Sequence, residues 1–240
     1  MSSFPNKRIL TLLCVWIVAV HTLLSQDLER RIIQKLEHPI LFDGVPDEKA
    51  WEQLEPFPLI THAPVFGDPP PEKSVIRMGY DEQYVYLSGL LYVSEPSFIQ
   101  AIGKKRDMDI MSSDFCMVSF DTYNDKENSL AFGTNPLGLR FDVAISNDGT
   151  MNMDQMPVNM DWNTFWEVKA DYDKEHWHFE MLIPISSLRF QDINGLTTMG
   201  LSVLRWIPAK DELYTFPSIS NEWGPTSHMK PSLYEEVVFE

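Results

Sequence analysis

Cysteine is almost absent from this chain. There are 2 in 240 residues, and Cys14 falls inside an N-terminal apolar run. Without that run only Cys116 remains, so no internal disulfide can form and stability must come from packing. Positive charge is scarce as well: 19 Lys and Arg stand against 35 acids, for a formal net charge of −16. That balance argues against nucleic acid, whose phosphates need clustered cations, and against an anionic membrane surface. The sequence also lacks Gly-x-Ser-x-Gly, a zinc-binding His-Glu-x-x-His and a phosphate loop. Glycoside hydrolysis needs two placed carboxylates, and with 35 acids the presence of pairs is uninformative. The composition therefore points away from catalysis.

Long hydrophobic runs are missing after the first 25 residues. Before that point Lys7 and Arg8 precede Ile9–Val20, in which Thr11 is the polar exception, and Ser25 is a small residue at a candidate cleavage site. This is the pattern of a secretory signal peptide. The run is short of the ~20 apolar residues of a membrane span; a retained anchor is the competing reading, because Leu23 stands where a small residue is usual. The expected division is a signal peptide over 1–25 and one domain over 26–240. The expected location is the periplasm, the outer membrane's vicinity or the exterior.

What the mature chain does have is a series of short runs with strand character. Val75–Tyr80, Tyr84–Val93, Phe115–Phe120, Leu139–Ser146, Trp166–Tyr172, Trp177–Ile183 and Met199–Ile207 are rich in β-branched and aromatic residues. Asp81-Glu82-Gln83, Asn147-Asp148-Gly149 and Asp171–Glu175 read as turns. Helical signals are two: a turn over Pro46–Trp51 with Asp47 as its cap and Ala50, Trp51 and Leu54 as its apolar face, and a turn after Pro184. Many short strands with polar turns predict an all-β sandwich rather than βαβ units. Both faces of Tyr84–Val93 and of Phe115–Phe120 are largely apolar, which predicts central strands with a loop or a cleft over the second face. Ser94–Ser113 reads as a long polar surface excursion.

Four segments, in order, resemble family 9 carbohydrate-binding modules. They are Ile40–Trp51 with its Asp43-Gly44 turn, Arg77–Leu87, Ser113–Asp121, whose strand begins and ends on the aspartates Asp114 and Asp121, and Trp177–Pro184, which ends Ile-Pro. Phe132-Gly133-Thr134-Asn135-Pro136-Leu137-Gly138 and Ile183–Phe190 are similar to a related group in which the module precedes an outer-membrane β-barrel. The resemblance spans roughly residues 36–240 and implies a jelly-roll-like β-sandwich of antiparallel strands. It also implies a carbohydrate partner, or else an outer-membrane barrel or envelope protein that the sandwich docks. Such a chain is either a stand-alone module or a piece of something longer.

The same resemblance implies a site. Trp223 matches one sugar-sandwiching tryptophan and Arg140 the arginine of the family, whereas Met111 and Met117 stand where a second tryptophan and a glutamate are expected. Of Trp162 and Trp166, spaced four apart, one is expected in the core and Trp162 is taken as a cleft candidate. Trp51 is expected to anchor the core under the helical turn, and Trp177 and Trp206 to serve as core or edge packing in their strands. His176 and His178 project to one side of a strand, as metal ligands can, but have no third partner at a recognisable spacing. A structural calcium would draw on Asp107, Asp109, Asn147, Asp148 and Asp154, against the simpler reading of a solvated acidic surface. Cys116 reads as a small buried hydrophobe. The functional expectation is a non-catalytic module binding poly- or oligosaccharide in support of carbohydrate degradation or uptake. The alternatives are an interaction domain and a fragment associated with a glycoside hydrolase.

Overall fold

The computed structural model describes residues 30–105, 110–151, 156–190, 192, 195–224 and 226–239. The chain divides into two units, Met1–Arg31 and Ile32–Glu240, and the features below belong to the second, apart from Arg31 at the start of its first strand. The leader expected over 1–25 lies outside the described residues, as do Asp107, Asp109 and Asp154 of the calcium candidates.

The strands form two layers. One layer has the order β8 (Val158–Asn159), β7 (Phe141–Ile145), β6 (Ser129–Thr134), β5 (Phe115–Asp121), β11 (Thr197–Ile207). The free side of β11 is shared: its first half pairs with β13 (Glu235–Phe239) and its second with β12 (Glu212–Phe216), which pairs in turn with β2 (Ile60–Ala63). The other layer runs β1 (Arg31–Lys35), β3 (Ser74–Tyr80), β4 (Tyr84–Tyr92), β10 (His176–Pro184), β9 (Glu167–Tyr172). Within each layer the pairs are antiparallel apart from β1 with β3, and β13 lies beside β1 where the two layers join. A parallel pair needs a connection of a dozen or more residues, and the stretch between Lys35 and Ser74 supplies it. The result is the expected β-sandwich. Its two short helices are α1 (Lys49–Glu52) and α2 (Ile185–Leu188).

Alternation along each strand builds the core. From β4, Val85, Leu87 and Leu91 point between the layers; from β10, Trp177, Phe179, Met181 and Ile183; from β5, Cys116, Val118 and Phe120. The Cys116 thiol is buried, and burial pushes its pKa far up. The opposite face of β5 carries Phe115 and Met117 into a second apolar cluster with Phe141, Val143, Ile145, Leu204 and Leu213. The layer containing β5 is therefore apolar on both sides, as the run Phe115–Phe120 predicts.

The outer face of the other layer is covered by the segment leading into α1. Glu180, on the outward side of β10, is buried and accepts hydrogen bonds from the Trp51 indole Nε1 at 3.0 Å, the Gly44 N–H at 2.9 Å and the Asp43 N–H at 3.0 Å. Gly44 sits at φ +100°, and a Cβ there would lie 2.9 Å from the Lys169 Cβ, so both the turn and the close approach require glycine. Burial raises the Glu180 carboxyl above its usual range, while the Gly44 N–H and Trp51 pull it back. Asp47 does not cap α1; the cap position is Glu48 with no side-chain cap bond, and the Glu48 carboxylate instead accepts from the Leu41 N–H. Glu180→Ala leaves three donors without their acceptor, at ~1–3 kcal/mol for each buried group. We expect it to lower unfolding free energy by about 3 kcal/mol in a denaturant titration, with Glu180→Gln costing clearly less.

The two aspartates that bracket β5 have separate duties. Asp121 accepts from the Asp125 and Lys126 N–H groups and closes the β5–β6 turn. Asp114 is fully buried and meets the fully buried Arg205 of β11 at 3.4 Å. The Arg205 guanidinium also donates to the Lys73 carbonyl at 3.3 Å and to Ser74 Oγ at 3.1 Å. One cation thus ties β11 and the start of β5 to the start of β3 in the facing layer.

Candidate functional site

Two hollows meet the requirements of a binding site, and they share no lining residue. The first is a cavity of about 410 Å³ over the outer face of the β5 layer. Phe115 and Met117 of β5, Phe141 and Val143 of β7 and Leu204 of β11 form its floor. Room for Phe115 comes from Gly133 of β6, whose Cβ would fall 2.2 Å from the Phe115 ring. Met111, from the short turn Ile110–Ser112, overhangs it, and Met111 is held there by its carbonyl, which accepts from Trp206 Nε1 at 2.8 Å. Trp206 is half-buried and walls the cavity.

Polar groups gather at one end of this groove. The buried His62 bonds the Ile219 carbonyl through Nδ1 at 2.8 Å, so that nitrogen carries the hydrogen. His228 meets His62 edge-on at a ring separation of 5.5 Å, and the Asn221 amide donates to the His62 carbonyl at 3.4 Å. Among the described residues no Asp or Glu lines the groove. An apolar cavity with a few convergent polar groups is the usual make-up of a ligand site.

Met111 and Met117 both line the groove. Trp223 stands in the turn Asn221–Trp223, two residues from the Asn221 wall, and is 66% exposed. Arg140 does not join them. It precedes Phe141, which faces the groove, and the two-residue period of a strand sends it to the other side. Its guanidinium lies 5.5 Å from the Trp166 ring and Nη2 donates to the Thr164 carbonyl at 3.2 Å. Trp162 packs against the main core with its ring 5.9 Å from Phe132, while Trp166 is fully buried. The structure brings Arg140 and Trp162 into one neighbourhood around Trp166 and Phe132, away from the groove.

That neighbourhood opens into the second hollow, of about 530 Å³, lined by Lys104, Gly138, Arg140, Asn163, Thr164 and Phe165. Asn135 holds its rim: its Oδ1 accepts from the Leu137 and Leu139 N–H groups and its Nδ2 donates to the Gly103 carbonyl at 2.7 Å. This explains the Asn-Pro-x-Gly spacing as a clamp between two loops. Phe165 is 86% exposed. Nothing in the sequence distinguished Phe165, His62 or His228, and Trp206 was expected only as strand packing; the groove roles of Trp206, His62 and His228 come from partners distant in the chain.

The remaining candidates are structural. The Asp148 side chain accepts from Lys230 Nζ, the Ser232 N–H and Ser232 Oγ; burial raises its carboxyl, and these donors together hold it below the usual carboxylate range. Its oxygens therefore have protein donors. His176 stacks on Tyr92 and its Nδ1 lies 3.2 Å from Asp173, while His178 is held below its usual pKa by burial and by His176. Among the described residues no group of three His, Cys, Asp or Glu side chains is placed to hold a metal.

No protein-family model and no curated protein sequence matches the chain. Solved structures do. A family 9 carbohydrate-binding module from Caldicellulosiruptor kristjanssonii, in complex with glucose, superposes with a TM-score of 0.55 at 15% identity, covering 88% of this chain and 96% of the module. The same organism's module in complex with cellotriose gives 0.54 at 14% identity over 88% and 94%. A Bacteroides uniformis protein described as carbohydrate-binding gives 0.64 at 12% identity over 87% and 97%. The fold is thus similar to that of family 9 carbohydrate-binding modules.

Proposed function

We propose that this sandwich is an exported, non-catalytic carbohydrate-binding module, and that the groove over the outer face of β5 holds one end of a poly- or oligosaccharide. The observation that carries this is the make-up of the groove: an apolar floor, an indole wall at Trp206 and a polar end at His62, His228 and Asn221. A pyranose has C–H faces that pack on such a floor and hydroxyls that need the polar end. The nearby Trp223 offers a further exposed ring. Support also comes from the fold neighbours, which include modules in complex with glucose and cellotriose.

The test is calorimetric titration of the mature chain with a glycan panel that includes glucose and cellotriose. We expect saturable binding to at least one glycan, no turnover of chromogenic glycosides, and about tenfold weaker binding for Trp223→Ala or Trp206→Ala, the change that ~1.4 kcal/mol represents. Silence across the panel, or unchanged affinity in both variants, removes this reading. Export rests on the Lys7–Ser25 pattern; fractionation of the native host, with mass determination of the mature N-terminus, checks it.

The methionines favour a second reading. Met111, Met117 and Met229 line the groove, and Met111 is 59% exposed. Methionine adapts to irregular protein surfaces. In this reading the groove docks an apolar segment of an envelope protein, such as an outer-membrane barrel. Crosslinking in the native envelope, with the crosslinker placed at Met111, distinguishes it from glycan binding.

A further inference from the structure

We propose that the hollow around Arg140 is a second binding site, separate from the groove, and that it takes an anionic sugar residue. It has the three elements such a ligand requires. The first is an aromatic face open to solvent: Phe165 is 86% exposed, although a large apolar ring gains by burial, and it borders the hollow. The second is an oriented guanidinium. Arg140 is fixed from two sides, by Trp166 at 5.5 Å and by the Thr164 carbonyl at 3.2 Å, which commits a single N–H and leaves the rest of the planar fork for a carboxylate or sulfate. The third is a supply of uncommitted donors. Among the described residues neither the Lys104 ammonium nor the Asn163 amide has a protein partner, and both border the same hollow.

Charge makes this placement selective. A chain with a formal charge of −16 repels an anionic polymer at long range, and that repulsion is screened beyond ~8 Å at physiological salt. Binding therefore depends on a local cationic spot, which Arg140 and Lys104 provide. An adjoining hollow shares Lys104 and Gly138 and carries Lys169 and His178 with Asp43 and Asp171. Lys169 is already tied to the Phe42 carbonyl at 2.9 Å. The two acids bias that end towards hydroxyls and confine the anion to the Arg140 end. The site stands on its own geometry, whatever occupies the groove.

The experiment is titration of the mature chain with galacturonate oligomers, sulfated galactan oligomers of equal length and neutral cellotriose, repeated in Arg140→Lys, Phe165→Ala and Trp223→Ala. We expect an acidic oligomer to bind, with affinity falling as salt rises. Arg140→Lys keeps the charge and loses the fork, so it should weaken that binding about tenfold, and Phe165→Ala by a similar factor. Trp223→Ala should leave it unchanged, which separates this site from the groove. Preference for galacturonate over sulfated galactan identifies the anion as a carboxylate; the reverse preference identifies it as a sulfate. Absence of acidic binding, equal affinity for cellotriose, or insensitivity to both Arg140→Lys and Phe165→Ala overturns the proposal. A thermal melt of each variant guards against misfolding, and Phe165→Ala, being almost wholly at the surface, should melt with the parent.

Discussion

Arg205→Met should lower the unfolding free energy by about 3–5 kcal/mol, the cost of removing one member of a buried ion pair and stranding the other. For a domain of this size that corresponds to a fall of roughly 10 °C in Tm. The reason lies in what surrounds Asp114. Both side chains are fully buried, and Arg205 also serves the Lys73 carbonyl and Ser74 Oγ. Burial already raises the Asp114 carboxyl against the pull of the guanidinium; without Arg205 it would be left neutral among apolar groups. Replacing both partners by apolar residues, Arg205→Met with Asp114→Leu, should recover much of the loss, because an apolar pair of similar volume has no charge to desolvate. Scanning calorimetry of the two variants decides the matter. A single variant that melts with the parent would mean that the pair is not formed in solution.

Met117→Trp should abolish occupancy of the groove. Met117 is in the floor of β5, 7% exposed, and its side chain points into a cavity of about 410 Å³. Enlarging a side chain inside a filled core costs ~1–3 kcal/mol, whereas here the added ring enters open space, so stability should change little. Affinity for any groove ligand should fall at least about hundredfold, equivalent to ~2.7 kcal/mol. The same variant should leave the Arg140 hollow working, since the two hollows share no lining residue. Titration with the ligands found for the parent measures both. A ligand that still binds Met117→Trp fully and loses Phe165→Ala belongs to the second hollow.

These two expectations draw on different kinds of information. The pairing of Asp114 with Arg205 joins residues 114 and 205, and no local pattern announces it. The sequence marked Asp114 as the start of a signature strand, but Arg205 sits in a run that reads as ordinary strand. The groove was partly legible. The doubly apolar run Phe115–Phe120 predicted a covered second face, and Met111 and Met117 were recognisable as departures from a sugar-binding pair. That both overhang one cavity, with Trp206 tied to Met111 at 2.8 Å, required the register of β5, β6, β7 and β11.

Local chemistry determined a good deal by itself. Side-chain alternation identified β3, β4, β5, β7, β9, β10 and β11, because a half-buried strand writes its two faces into consecutive residues. Ala50, Trp51 and Leu54 marked the anchoring turn, and all three are buried. The strands β1, β2, β6, β8, β12 and β13 escaped notice: they are short and carry mixed residues. Asp47 was misassigned as a cap because its residue type is favourable, while the observed cap position falls one residue later.

Tertiary structure alone decided which faces meet. One residue at the start of β7 separates Phe141, in the groove, from Arg140, in the second hollow, and the sequence carries no measure of that placement. Trp51 finds its acceptor 129 residues away in Glu180, His62 finds His228, and Phe165 is left outside while Trp166 beside it is buried. Strand identity is a property of neighbouring residues, so the sequence holds it. A binding surface is assembled from residues far apart in the chain, and only the packing of the two layers against each other fixes which of them stand together.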